Sequence, residues 1–218
     1  MRHQYYDDKP ASYYSLVRVE LLRLLDASHR FAEALELGCG AGETLRFLLE
    51  QGWVARAVGV EMVPAAARQA ADHLSEVFEE DAEQWTRHPR GVAAPDLVIV
   101  ADVLEHLTDP WAVLRRLRGL QPAGGVLLFS IPNVQHFSVS LPLLFRGRWR
   151  YADADIMDRT HLRFFTREGI EDLLRGAGYV PEIWDYNAGT RGRRAVQMSL
   201  GLLRPWLARQ YLVRCRAA

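Results

Sequence analysis

Short apolar runs alternate with helix-patterned stretches through most of this chain, which confines it to an α/β sheet built from βαβ units. Four runs read as buried strands: Ala34–Leu37, Ala57–Val60, Asp96–Ala101 and Val126–Ile131. The third, Asp96-Leu-Val-Ile-Val-Ala, is apolar after its first residue, the pattern of a strand covered on both faces. A shorter strand fits Val77–Glu80. A helix is expected at Ser12–Leu25, where Leu16, Val19, Leu22 and Leu25 recur at helical spacing, and another at Glu43–Gln51. Pro64 opens a helix where a missing N–H costs nothing, and Asp109-Pro110 caps and opens one running to Leu117. Thr166 caps a helix over Arg167–Arg175, stopped by Gly176 and Gly178. Tyr179–Tyr186 and Tyr211–Cys215 read as strands around a helix at Arg194–Leu207, a tail that makes the sheet mixed. Residues 133–165 carry aromatics, arginines and acids without a clean period, as an insertion or a cap over a site would.

Composition narrows the function. The chain has 218 residues, 27 basic and 27 acidic side chains and no net charge, so it lacks the basic excess of a nucleic-acid coat. The zero conceals a split: residues 1–145 hold 13 basic and 19 acidic groups, and 146–218 hold 14 and 8. Lys9 is the only lysine. Two cysteines, Cys39 and Cys215, are too few for a disulfide framework or a cysteine-built zinc site. The first residues carry no apolar signal core, and no apolar stretch is long enough for a membrane span, so a reducing, cytoplasmic setting is expected.

Chemistry concentrates in Glu36-Leu-Gly-Cys-Gly-Ala-Gly42, where a buried strand delivers an acid and three glycines to the edge at which α/β sheets bind ligands. Glycines let backbone approach a ligand closely. Position 43 is Glu, so this is not the dinucleotide fingerprint with its third small residue. A glutamate there suits a cation better than a pyrophosphate, and Glu36 can accept hydrogen bonds from an ammonium. Glu61 ends the second strand, 19 residues past Gly42, where an acid can accept both hydroxyls of an adenosine ribose. Asp81 reads either as a partner for an adenine amino group or as part of a solvated acidic face with Glu79 and Glu80.

Together with Gly59-Val-Glu61, Asp81-Ala82, Asp96-Leu-Val-Ile-Val-Ala-Asp-Val-Leu-Glu-His106 and Pro122-Ala-Gly-Gly125, the motif resembles the class I S-adenosylmethionine-dependent methyltransferases over about residues 30–186. Ser130-Ile-Pro-Asn133 and Asp158-Arg-Thr-His-Leu-Arg-Phe-Phe-Thr166 resemble a branch of small methyltransferases met among cell-surface polysaccharide and glycosyl-transfer enzymes. The resemblance implies a single Rossmann-like domain with a seven-stranded mixed sheet, its last strand antiparallel, and helices on both faces. It divides into an N-terminal helical lid (1–29), a cofactor-binding half (30–132), an acceptor cap after the fifth strand (133–165) and C-terminal helix and strands (166–218). Implied contacts to S-adenosylmethionine, and to the product S-adenosylhomocysteine, are Glu36, Gly38, Cys39, Gly40, Gly42, Glu61, Met62, Asp81, Ala82, Ala101, Asp102 and Val103. Tyr14 joins them from a cluster of N-terminal tyrosines (Tyr5, Tyr6, Tyr13, Tyr14) that either closes over the sulfonium or packs the first helix.

Methyl transfer from a sulfonium is an in-line displacement on an activated donor, so alignment and water exclusion supply much of the rate. A hydroxyl acceptor also needs a group to take its proton, and neutral imidazole suits that. His106, His136 and His161 lie where such a group could sit. The competing readings are a pocket-shaping residue for His106 and a salt-bridged brace with Asp155, Asp158, Arg159 and Arg163 for His161. His136 reads as a surface residue of the insertion. Asp102 and Asn133 end neighbouring strands as possible oxygen ligands, but Ile131-Pro132-Asn133 offers no paired ligands, and no metal is expected. Arg146, Arg148 and Arg150 around Trp149 read either as an anion grip or as a solvated loop. The resemblance implies a small or glycan-like acceptor, methylated at oxygen rather than nitrogen; the Arg-rich half suggests an anionic one. Two alternatives share these features: an NAD(P)-dependent oxidoreductase and a non-catalytic subunit with the same fold. The oligomeric state is not encoded in any of these motifs.

Overall fold

The structure, a computed structural model, describes residues 16–26, 28–85 and 94–218. In chain order its elements are α1 (Val19–Leu22), β1 (Phe31–Leu37), α2 (Glu43–Glu50), β2 (Val54–Glu61), α3 (Pro64–Ala71), β3 (Glu76–Glu79), β4 (Leu97–Ala101) and a 3-10 turn at Leu104–His106. There follow α4 (Pro110–Leu120), β5 (Val126–Pro132), α5 (Phe137–Arg146), α6 (Arg167–Gly176), β6 (Tyr179–Asn187), α7 (Gly189–Met198), α8 (Arg204–Leu207) and β7 (Gln210–Ala217).

The seven strands form one sheet in the order β3-β2-β1-β4-β5-β7-β6. β1 to β5 run parallel, and β7 lies antiparallel between β5 and β6. The expected mixed seven-stranded sheet is borne out, the last strand completing it from within. Alternate residues of each central strand feed opposite cores, because side chains in a strand point to opposite faces. Leu35, Leu37, Val98 and Val100 pack with Leu114 and Leu117 of α4 and Leu173 and Leu174 of α6. Ala34, Leu97 and Ile99 pack on the other face with Leu21 and Leu22 of α1 and Leu45 and Leu48 of α2. Helices therefore cover both faces, and the strand order reverses between β1 and β4, where the crevice at the strand ends opens.

The expected caps form. Asp109 Oδ1 accepts the Ala112 N–H at 2.9 Å, and Thr166 Oγ1 accepts the Gly169 N–H at 3.3 Å. Three expectations change. Of the helix expected at Ser12–Leu25, the described part is the single turn Val19–Leu22; Tyr14 and the other N-terminal tyrosines lie outside the described residues. The helix expected at Arg194–Leu207 is two, α7 and α8. Leu200 (φ 50°) and Gly201 (φ 87°) turn the chain left-handed between them, and Pro205 sits in the first turn of α8, where its missing N–H is tolerated. The segment 133–165 contains the helix α5, which buries only Val139. Among the described residues, no helix is long and apolar enough to cross a membrane.

Candidate active site

The glycine loop after β1 turns with positive φ at Gly38 (67°), Gly40 (57°) and Gly42 (81°). A Cβ on Gly38 would lie 2.6 Å from Val103 Cγ2, so the loop packs against the end of β4 only without a side chain there. Gly38→Ala is expected to lower the melting temperature and weaken donor binding together. The left-handed backbone alone costs an L-residue about 1–2 kcal/mol; thermal unfolding and calorimetric titration of the same sample measure both effects.

Glu61 fixes the loop from β2. Its Oε2 accepts the Gly40 N–H at 2.9 Å and its Oε1 accepts the Val63 N–H at 2.8 Å. Burial raises its carboxyl above the usual range, and these backbone bonds oppose the rise. Glu36, at the end of β1, is buried, and one of its oxygens has no hydrogen-bond partner among the described residues. Burial pushes it up to about 8, with Arg18 pulling it down and Glu61 adding to the rise.

These groups line an open cleft at the carboxyl ends of the strands, where α/β sheets bind ligands. Of the residues picked out in the sequence, Glu36, Gly38, Cys39, Gly40, Glu61, Met62, Asp81, Ala82, Ala101, Asp102, Val103 and His106 line it. Gly42 does not; it is the N-cap of α2. Glu43 pairs with Arg46 at 2.5 Å on α2 instead of facing the cleft. Arg18 and Thr44 also line it without having been anticipated. Arg18 reaches across from the N-terminal segment to Asp102 Oδ2 at 2.8 Å, a pairing 84 residues apart that no local pattern signals.

Asp102 sits at the tip of β4 with φ 55°, an uncommon conformation for a non-glycine residue. Its Oδ1 accepts from Ser130 Oγ (2.8 Å) and from Gln210 Nε2, which hold it in that strained position. Asp102 and His106 line a second cavity as well, of about 1260 Å³ with its mouth. This one is bounded by Glu105, Pro132, the 153–158 stretch, His161, Asn187, Arg209 and Gln210. The two cavities thus meet at the 3-10 turn after β4.

Backbone bonds join that turn to the 156–163 segment. The Glu105 carbonyl accepts the N–H groups of Leu162 (2.8 Å) and Arg163 (3.0 Å). His106 Nδ1 lies 3.2 Å from the Thr160 carbonyl, and His161 Nδ1 2.9 Å from the Ile156 carbonyl. The two imidazoles meet edge to face with centroids 4.7 Å apart. Burial, reinforced by His161, pushes His106 down to about 4, which leaves its ring neutral at pH 7. Ligand-capable atoms of Glu105, His106 and His161 lie within 4.8 Å of one another, a donor set that could hold a metal.

Other expectations fall elsewhere. His136 is 3% exposed rather than on the surface: its Nδ1 caps α5 by accepting the Ser138 N–H at 3.3 Å. Asn133 is buried and donates to the Pro205 and Ala208 carbonyls, both at 2.7 Å, so it is committed to holding the α8 segment and not to a metal. Arg146, Arg148 and Arg150 are exposed and line neither cavity. The second cavity is lined by Asp102, Glu105, Asp153, Asp155, Asp158 and Arg209, with Asp102 paired to Arg18, Asp153 to Arg159 and Asp155 to Arg209.

A family model described as "Methyltransferase domain" matches residues 11–182, most of the chain. The chain belongs to the class I S-adenosylmethionine-dependent methyltransferases. Its cofactor is S-adenosylmethionine, and the oxidoreductase alternative falls away. A trans-aconitate 2-methyltransferase of Methylobacterium radiotolerans is 33% identical over 102 residues, 46% of this chain and 38% of that one. A ubiquinone biosynthesis O-methyltransferase of Stutzerimonas stutzeri is 32% identical over 105 residues, 46% of this chain and 44% of that one. The chain therefore spans less than half the length of either relative. The fold matches an S-adenosylmethionine-dependent methyltransferase from Mesorhizobium loti (TM-score 0.63, 16% identity, covering 96% of this chain and 99% of that one). It also matches the N-methyltransferase NodS of Bradyrhizobium japonicum in complex with S-adenosylhomocysteine (TM-score 0.60, 18% identity, 97% and 89% covered).

In the first cleft the unpartnered oxygen of Glu36 is an acceptor of the kind an ammonium satisfies, and Glu61 is a buried carboxylate beside the glycine loop. A proton linkage follows. In the ligand-free protein Glu36 holds its proton up to about pH 8, whereas contact with an ammonium needs the carboxylate. With Glu36 on the donor's ammonium, as proposed below, donor affinity is expected to rise with pH towards that value and to fall again as the donor's own ammonium loses its proton. Donor binding should also release a proton, read as a buffer-dependent heat in calorimetry, and Glu36→Gln should abolish both effects. The folded pKa being the higher one, Glu36's share of the ligand-free protein's stability is full below the unfolded pKa, near 4.5. It declines as pH rises from there through about 8, because the unfolded state gives up the proton first.

Proposed function

We propose that this chain transfers the methyl group of S-adenosylmethionine to a hydroxyl of a small, neutral, glycan-like acceptor held in the second cavity. The observation that carries this reading is the meeting of the two cavities at Asp102 and His106, so that donor and acceptor would face each other across one turn. Glu36 would hold the donor's ammonium, Glu61 its ribose, and Asp81 and Ala82 its adenine, with Gly38, Cys39, Gly40, Met62, Ala101 and Val103 as walls. Gly42 would shape the loop from the start of α2. When bound, the donor supplies a methyl group on an already activated sulfonium. The chain's own work is alignment, exclusion of water and removal of the acceptor's proton, for which His106 and His161 stand at the junction. The 153–161 stretch acts as the acceptor cap.

The named O-methyltransferases among the relatives support oxygen as the target. The acids of the second cavity favour one other reading, a cationic amine acceptor. A labelled-methyl screen of neutral polyols and glycosides, amines and phosphorylated sugars at low salt separates them. Transfer to neutral hydroxyls is expected; transfer to amines alone would establish the second reading, and a preference for phosphorylated sugars would contradict both.

A further inference from the structure

The surface made by α5 and the α7–α8 pair carries large apolar side chains in the open. Leu144, Phe145, Met198, Leu200 and Leu202 are between 74% and 94% exposed, and Trp149 and Trp206 are exposed as well. Apolar groups gathered in this number mark a docking face. α8 packs against both α5 and α7, and Asn133, just ahead of α5, donates to the Pro205 and Ala208 carbonyls, so these elements form one surface. Leu200 is its sharpest feature. Its φ of 50° lies in the left-handed region, which is costly for a leucine and tolerated by asparagine. No burial offsets that cost, since Leu200 is the most exposed of the five. The surface is also basic. Residues 134–152 and 186–218 contain no Asp or Glu, and they hold three and seven arginines. Arg193, Arg209 and Arg216 pair with Asp185, Asp155 and Glu182. Arg146, Arg148 and Arg150 at the end of α5, and Arg191 and Arg194 on α7, are exposed.

We propose that this face docks the chain on an anionic lipid bilayer, its apolar side chains entering the headgroup boundary and its arginines resting on lipid phosphates. Leucine, phenylalanine and tryptophan set among arginines are what an interfacial surface needs, burial for the first and countercharge for the second. A nucleic acid would match the arginines and leave Met198 and Leu200 without a use. A second copy seated face to face would match the apolar groups and set the same arginines against one another. An anionic bilayer satisfies both properties at once. It also gives the charge split a role, because the basic excess of residues 146–218 then faces lipid. α5 leads through Trp149 into the 153–158 stretch and α8 leads into Arg209, both of which line the second cavity, so docking sets that cavity beside the bilayer. The inference concerns the surface and stands apart from which acceptor is methylated.

The test is co-sedimentation of the full chain with vesicles of phosphatidylglycerol and phosphatidylcholine, against vesicles of phosphatidylcholine alone. Binding to the mixed vesicles is expected, with weaker binding to the neutral ones and loss of the difference at high salt. An arginine near an anionic surface contributes about fivefold in affinity, so Arg146→Gln, Arg148→Gln and Arg150→Gln together should weaken binding to the mixed vesicles about a hundredfold. Leu200→Asn should weaken binding to both kinds of vesicle about tenfold. The same change should leave the melting temperature unchanged or higher, because asparagine accepts the left-handed backbone; a merely structural role for Leu200 would lower it. None of these four side chains lines either cavity, so unchanged S-adenosylmethionine affinity verifies that each variant is folded. No binding to the mixed vesicles, equal binding to both kinds, or binding undiminished in both variants overturns the proposal. A chain that ignores vesicles and sediments as a dimer, which Leu200→Asn dissociates, would overturn it too and assign the face to a second copy.

Discussion

Glu61→Ala is expected to weaken S-adenosylmethionine binding about a hundredfold or more and to lower the melting temperature of the ligand-free protein. Two effects combine. The carboxylate accepts N–H groups from both Gly40 and Val63, so its loss strips a hydrogen-bond acceptor from each side of the donor cleft. A buried donor left without a partner costs about 1–3 kcal/mol. The ribose contacts proposed for the same carboxylate would be charge-assisted, and a hundredfold corresponds to about 2.8 kcal/mol. Glu61→Gln keeps the shape and one accepting oxygen but loses the charge, and should fall between Ala and the unmodified chain. Calorimetry measures the affinity and a thermal melt the loop. An Ala variant that binds the donor normally would mean that Glu61 braces the loop and does nothing more.

His161→Ala should leave S-adenosylmethionine affinity unchanged and reduce turnover by about 10²–10⁴-fold, the range lost with a proton acceptor. His161 lines the second cavity and not the first. His106 lines both, so His106→Ala should impair donor binding and turnover together. That contrast separates a role in chemistry from a brace. The brace reading has substance, because Asp158 caps Thr160 and the Glu105 carbonyl ties down Leu162 and Arg163. If bracing were the whole role, His161→Ala would lower the melting temperature in step with the rate. Unchanged turnover would remove His161 from the mechanism altogether.

The donor half was legible because its signals are local. Buried parallel strands read as apolar runs, a strand end followed by glycines marks a ligand edge, and Glu61 sits at the matching edge of the neighbouring strand, in register with β1. Asp109 and Thr166 capped their helices as their positions demanded. The acceptor half was not legible in this way. Its cavity is assembled from residues far apart in the chain, between Asp102 and Gln210, with Asn187 and Gln210 supplied by β6 and β7. His161 was found from its charged neighbours, whereas Arg209 and Gln210, which also line the cavity, carried no local signal. The charge split did not locate the cavity, since the exposed arginines of 146–150 are not among its lining residues. Net charge along a chain says little about which side chains the fold turns inward.

The most direct measurement is a crystal structure of this chain with S-adenosylhomocysteine. Its amino group should lie at Glu36, its ribose hydroxyls at Glu61 and its adenine beside Asp81 and Ala82. The sulfur should face the opening between Asp102 and His106, with an open path to His161. A product molecule seated in that cleft with its sulfur turned away from the second cavity, or bound elsewhere on the chain, would contradict the assignment of donor and acceptor sites.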